Sequence, residues 1–236
     1  MMVKTFLISF FCGIGAFFFA PDTYLKRYPK EYAGGEFIIR SKLKLADSVC
    51  SRFRLSSKYV LPIVFPECTR FSNLSDRIES SANYYLYCTL GEKYANFSIG
   101  HFQMKPSFVE QLEKSVLASP SLSHLHYIAD FGKFSKDESA VRKLRISRLE
   151  SDWWQMQYLC CFYLVMDNKY PASKWKNQEE KLSFYAAAFN RGFFLSEQKI
   201  LDWMSVPAFP NGSSAPAVNF PYSSIALEYF RNFTDY

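Results

Sequence analysis

Apolar residues recur at helical spacing along most of this chain, and only near residue 95 does the pattern break. Spacing of three and four marks a helix, whereas a strand alternates. Residues 43–53 and 56–67 read as helices, the second with Ser56 or Ser57 as its N-cap. Pro62 and Pro66 should kink that second helix or split it into short turns. Residues 74–90 carry Leu74, Ile78, Ala82, Tyr85 and Leu86 on one face and stop at Gly91. Residues 107–117 follow Pro106, with Ser107 as N-cap and Glu110 completing a capping box. Residues 139–166 read as the longest helix, striped by Leu144, Ile146, Leu149, Trp153, Met156, Leu159 and Leu164. Further helices are expected over 179–189, 197–204 and 223–233. Residues 94–104, with Tyr94, Phe97, Ile99 and Phe102 around Gly100, suggest short strands about a bend. The expected fold class is mainly α with a small β-hairpin.

What fills such a helical core is also plain. Aromatic residues make up 19% of the chain, including 24 Phe and 16 Tyr. Hydrophobic residues at 49% and charged residues at 21% exclude a disordered chain, and 9 Gly with 11 Pro exclude a collagen-like one. A net charge of +6 is too weak to argue for nucleic acid and suits an anionic polymer. After Met1, Met2, Val3 and Lys4 an uncharged, apolar run extends to Pro21, with Ala20 near its end. Residues 1–20 therefore read as a secretory signal peptide or an uncleaved membrane anchor. Phe11 before Cys12 does not suit lipoprotein processing. Residues 21–55, polar and aromatic around Gly34 and Gly35, read as a lead-in segment.

With Cys12 in the leader, Cys50, Cys68, Cys88, Cys160 and Cys161 remain, an odd number. No C-x-x-C pair is present, and His101, His124 and His126 do not join the cysteines at zinc spacing, so no metal is expected. One disulfide, Cys50 with Cys68 or Cys88, would suit an exported protein. The sequons at Asn73, Asn96, Asn211 and Asn232 read as coincidence in a bacterial protein.

Three stretches carry the chemistry. Residues 60–67, an apolar run ending in Glu67, are followed by Arg70, Phe71, Ser72 and Asn73. Gly100, His101, Phe102, Gln103, Met104, Lys105 and Pro106 form the second. Ala187, Ala188, Phe189, Asn190, Arg191 and Gly192 form the third. Together, and in this order, they resemble the soluble lytic transglycosylases and goose-type lysozymes. The first is similar to that family's catalytic helix, the second to its Gly-Leu-Met-Gln-x-x-Pro signature, the third to its Ala-Ala-Tyr-Asn-x-Gly motif. Cys68 stands where the family has Ser, and the interval from Glu67 to Gln103 is longer than usual. Glu79-Ser80 restores the Glu-Ser pair and is the alternative; the apolar run before Glu67 and the Arg70–Asn73 stretch after it favour Glu67.

The resemblance implies an α+β, lysozyme-like domain over 56–236 whose hairpin lines a substrate cleft. It implies Glu67 as the catalytic acid, with Ser98, Gly100, Gln103, Phe189, Asn190 and Tyr222 binding substrate. Protonating a glycosidic oxygen requires a carboxyl that is still protonated near neutral pH. Burial beside Val64, Phe65 and Phe71, together with a helix C-terminus, would raise its pKa. Gln103 can both donate to and accept from sugar groups, and Gly100 would let backbone approach the ligand. His101 is expected in an exposed loop, and Asn190 either faces substrate or caps its helix. The implied activity is cleavage of peptidoglycan strands between N-acetylmuramic acid and N-acetylglucosamine, leaving 1,6-anhydro ends. A hydrolytic muramidase and a non-catalytic wall-binding or envelope-assembly protein are the alternatives. No cofactor, no metal and no nucleic acid are implied. The expected protein is a monomer exported to the periplasm or cell envelope, with peptidoglycan as its partner and the N-terminal segment as its one route to membrane anchoring.

Overall fold

A computed structural model describes residues 22–70, 73–130, 137–212 and 217–233, with the backbone alone for 73–81. The expected signal peptide and Phe71 lie outside the described residues. Among the described residues no helix is long and apolar enough to cross a membrane.

Helices dominate. A first turn, α1 (Tyr24–Arg27), leads into α2 (Pro29–Arg52), at 24 residues longer than any other described helix. The stretch read as a lead-in is therefore mostly helix, and it shares one hydrophobic core with the helices after it. Its buried positions Tyr32, Gly35, Ile39, Ala46 and Val49 hold helical spacing, and Pro29 opens it where a missing N–H costs nothing. The paired glycines, which look like a breaker, serve packing instead. A Cβ on Gly35 would lie 2.8 Å from the Thr69 methyl and 3.1 Å from the Thr69 nitrogen, whereas Gly34 has nothing within 4 Å.

The prolines of residues 56–67 divide that segment as their chemistry requires. It forms α3 (Ser57–Val60), a 3-10 turn (Leu61–Ile63) and α4 (Phe65–Arg70). Pro62 and Pro66 each sit in a first turn, where no intrahelical donor is needed. α4 is packed on several sides. Phe65 stacks on Tyr229 at 3.8 Å between ring centres, meets Tyr32 edge-on, and Thr69 shares a 2.9 Å hydrogen bond with the Tyr24 hydroxyl.

α5 (Asn73–Leu90) ends at Gly91, whose φ of +92° suits glycine. Its expected apolar face is not the buried one: Tyr85 is 68% exposed, while Tyr87 and Cys88 are buried. Tyr87 turns inward because its hydroxyl finds partners there, donating to Glu110 at 2.7 Å and accepting from Arg145 at 2.8 Å. α6 (Pro106–Ala118) starts one residue early, with Pro106 at N1, so Ser107 is not the cap; its hydroxyl donates to Asn96 instead. A 3-10 stretch (Pro120–Leu125) and α7 (His126–Ala129) come next.

The expected single helix over 139–166 is two, α8 (Glu138–Leu149) and α9 (Asp152–Lys169). Ser151 is extended (φ −97°, ψ 122°), and the Leu149 carbonyl is taken by the Gln155 side chain rather than by a continuing helix. After α10 (Gln178–Arg191) and α11 (Glu197–Trp203), strands β1 (Pro207–Phe209) and β2 (Phe220–Pro221) pair antiparallel, and α12 (Tyr222–Asn232) closes the described chain. The only described two-stranded sheet thus lies at 207–221. Near residue 100 a single bridge joins Ile99 to Met104. The ladder stops there because the next hydrogen-bonded pair outward would join Phe97 to Pro106, which has no N–H and already begins α6. Gln155 holds the turn itself, accepting the Phe102 N–H and donating to the Ile99 carbonyl.

The cysteines are free thiols among the described residues, and the expected pairings of Cys50 are not formed. Its sulfur lies 3.7 Å from that of Cys160, because α2 packs against α9.

The two glycines of α2 should respond oppositely to alanine. Gly34→Ala, in open space, should gain about 0.5–1 kcal/mol from helix propensity. Gly35→Ala should lose about 1–3 kcal/mol because α2 and α4 must move apart. Urea denaturation of both variants measures this; equal effects would contradict the close contact.

Candidate active site

Helix α4, the Ile99–Met104 turn and the end of α10 surround one open pocket of about 310 Å³. Glu67 projects into it from the first turn of α4. The expected helix C-terminus is therefore wrong: at a first turn the helix dipole favours the carboxylate. Burial overrides this. Glu67 is 9% exposed, and desolvation pushes its carboxyl up to about 7, against the nearby charges of Arg70 and Lys105 and a hydrogen bond from Asn190.

α4 holds this carboxyl through contacts on its far side. Tyr222, the first residue of α12, donates its hydroxyl hydrogen to the Ile63 carbonyl at 3.0 Å and accepts from the Glu67 backbone N–H. It occupies the gap in the backbone ladder at the proline-broken start of α4. At 2% exposure Tyr222 lies behind Glu67 and not in the pocket, so it supports the helix rather than facing ligand. Cys68, in the position of the family's Ser, points away as well; its thiol donates to the His101 carbonyl, and burial pushes its pKa up.

The opposite wall is the turn at residue 100. Gln103 sits at φ +49° and folds its Nε2 onto the Gly100 carbonyl at 2.8 Å. Gly100 does not lie in the pocket wall. A Cβ there would be 1.5 Å from Gln155 Nε2, so the close approach that requires glycine is to Gln155, not to a ligand. Gln155 is fully buried and grips the turn through the Phe102 N–H. His101 is partly buried rather than loosely exposed: its Nδ1 meets Asp152 at 2.6 Å. The hydrogen bond from His101, with help from Lys42, holds the Asp152 carboxyl down at about 2.

α10 supplies the third wall. Its last turn carries Phe189, Asn190 and Arg191 before Gly192, at φ +124°, ends the helix. Asn190 is thus helical and Gly192 is the cap. The Asn190 Oδ1 accepts the Trp203 indole N–H at 3.0 Å, and the side chain hydrogen-bonds Glu67.

Of the residues singled out in the sequence, Glu67, Ser98, Gln103, Phe189 and Asn190 line the pocket together, and Gly100 and Tyr222 do not. Glu79 and Asp76 lie on α5, and their side chains are outside those described; Glu92 is not in the pocket wall. The wall also contains residues that no motif marked as binding groups: the cations Arg70, Lys105 and Arg191, and Phe194, an aromatic ring 58% exposed at the rim. Arg70 carried a signal by its place just after Glu67, and Lys105 and Arg191 by lying inside the second and third stretches; Phe194 carried none. Among the described residues, Glu67 is the sole carboxylate of this wall, and no cluster of His, Cys, Asp and Glu could hold a metal. No family model, curated protein or solved structure matches the chain.

The buried carboxyl makes stability depend on pH. Between the ordinary value of 4.5 and about 7 the native protein keeps a proton that the unfolded chain has lost. Stability therefore falls as pH rises through that window and stays reduced above it, by about 3 kcal/mol. Glu67→Gln should remove this dependence, matching the wild type near pH 4 and exceeding it by about 1–3 kcal/mol at pH 8. A stability difference that does not change with pH, followed by urea denaturation, would contradict the raised pKa.

Proposed function

We propose that the protein cleaves peptidoglycan glycan strands as a lytic transglycosylase, with Glu67 as both acid and base. The observation that carries this reading is the single buried carboxyl, held near neutral pKa, in a pocket whose described wall offers no second carboxylate. A hydrolytic lysozyme uses two carboxyl groups across the sugar, one to protonate and one as nucleophile or base. A transglycosylase needs only one.

The steps are set by that single group. Protonated Glu67 gives its proton to the glycosidic oxygen as the bond from C1 of N-acetylmuramic acid breaks, and the N-acetylglucosamine end leaves as an alcohol. Glu67, now a carboxylate, accepts the proton of the muramic acid 6-hydroxyl while that oxygen attacks C1. A 1,6-anhydro ring closes, and Glu67 is again protonated. A pKa near 7 suits both halves, since the group must give up and retake a proton at one pH. Asn190, hydrogen-bonded to Glu67, stabilises the carboxylate between the two steps.

The rest of the wall fits this polymer. Arg70, Lys105 and Arg191 offer positive charge to the carboxylates of lactyl groups and stem peptides. Phe194, at the rim, presents a ring face on which a sugar stacks, Phe189, packed on Phe108 and Phe162, backs the wall, and Ser98 and Gln103 add polar groups. In this reading residues 1–20 direct export to the envelope, where the substrate lies, and no cofactor takes part.

Digestion of purified peptidoglycan in heavy-oxygen water tests the proposal. Anhydro-muropeptides, lighter by one water than hydrolysis products and free of label, are expected. Glu67→Gln should abolish them, and Gln103→Ala and Asn190→Ala should each lower the rate roughly tenfold to a thousandfold. Labelled reducing ends would make the protein a muramidase. Binding to the wall without any product would make it a non-catalytic envelope protein.

A further inference from the structure

An asparagine amide next to a carboxyl can act in two opposite ways. With Nδ2 toward the carboxyl it donates and favours the ionised form; with Oδ1 toward it, it accepts from the protonated form and favours the acid. A half-turn of the amide exchanges the two. What fixes the choice is the partner on the far side of the amide.

That partner here is Trp203. An indole nitrogen has a hydrogen to give and no lone pair to receive one, so the atom facing it must be an acceptor. Trp203 Nε1 lies 3.0 Å from Asn190 Oδ1. The other end of the amide, Nδ2, is then the one turned to Glu67. The result is a directed chain from the indole N–H through the amide to the carboxyl. Trp203 is well seated for this task. Gly192 turns the chain sharply after α10, α11 packs back against α10, and the Arg191 guanidinium covers the indole ring at 4.6 Å. Trp203 itself is not part of the pocket wall; it reaches the site through its hydrogen bond to Asn190 and through Arg191 on its ring, and only the first involves the indole N–H.

We propose that Trp203 is a positioning residue for Glu67: its indole N–H locks the Asn190 amide with Nδ2 toward the carboxyl and so fixes how readily Glu67 releases its proton. The proposal rests on the reading of Glu67 as the catalytic acid. The other charged or titratable groups near Glu67 are Arg70 and Cys68 on α4, Lys105 before α6, Arg191 in the pocket wall from α10, and the Tyr222 hydroxyl from α12. α2 meets α4 on another side, through Gly35 against Thr69 and Phe65. Among the described residues it is Trp203 that donates to the Asn190 Oδ1.

Trp203→Phe keeps a ring for packing and removes the N–H. Freed from its donor, Asn190 can turn Oδ1 to the carboxyl, and the pKa of Glu67 rises. For a general acid the rate declines above that pKa, so the alkaline limb of kcat/KM on peptidoglycan should move up by roughly half a unit to one unit. The plateau should drop roughly tenfold, because a weaker acid protonates the leaving oxygen less well. An unchanged limb would overturn the proposal, since a purely structural role would lower the rate without moving it. A second measurement uses the wild-type chain and needs no turnover. The indole 15N–1H resonance of Trp203 should shift with a midpoint near 7, matching Glu67, and should lie flat in Glu67→Gln and in Asn190→Ala. A flat resonance in the wild type overturns the proposal even if Trp203→Phe does not fold. A titrating resonance in a protein that leaves peptidoglycan intact would uphold the coupling and refute the transglycosylase reading instead.

Discussion

Gly35 lets α2 approach α4 until an added Cβ would stand 2.8 Å from the Thr69 methyl, and the placement of Glu67 depends on that approach. α4 has only six residues and two prolines at or before its start, too little to be stable alone. It is held by neighbours: Tyr24 on Thr69, Tyr229 stacked on Phe65, and Tyr222 filling the broken ladder between Ile63 and Glu67. With those sides occupied, the side left open is the one that carries Glu67. A wider separation of α2 from α4 would open the Gly35 contact with Thr69 and loosen Tyr32 on Phe65.

Water is what the site must exclude. A carboxyl in solvent ionises well below neutrality, and this one is kept from doing so by burial, while Arg70, Lys105 and Asn190 pull the other way. The balance stops short of both extremes. Burial without those partners would leave an acid too weak to give up its proton, and partners without burial would leave an ordinary carboxylate. The protein accepts a loss of stability at neutral pH to hold a group in that intermediate state, a cost that functional sites commonly carry.

Much of the helical frame was legible because apolar spacing is local: α5, α10, α11 and α12 fall close to where their periodicity puts them. Several of the failures come from side-chain contacts that apolar spacing does not reveal. The segment around Gly34 and Gly35 read as a lead-in because nothing nearby reveals that Thr69 will lie against one of these glycines. At the break between α8 and α9 the Gln155 side chain takes the Leu149 carbonyl, and the hairpin is cut short where Pro106 begins α6. The inward turn of Tyr87 depends on Arg145, across the fold. The site divides the same way. Glu67, Gln103 and Asn190 stood in recognisable motifs and do meet at one pocket. Lys105 and Arg191 stood in those motifs only at variable positions, Trp203 and Phe194 were not marked as site residues, and the turn at Gly192 is what brings Phe194 to the rim and Trp203 onto Asn190.

The proposed mechanism turns on one physical property, that Glu67 is still about half protonated near pH 7. Titrating the 13C-labelled side-chain carboxyl of Glu67 by NMR, with Glu67→Gln to assign the signal, measures it directly. A midpoint near 7 is expected from its burial. A midpoint near 4.5, the ordinary value, would show a solvated carboxylate that cannot serve as the acid.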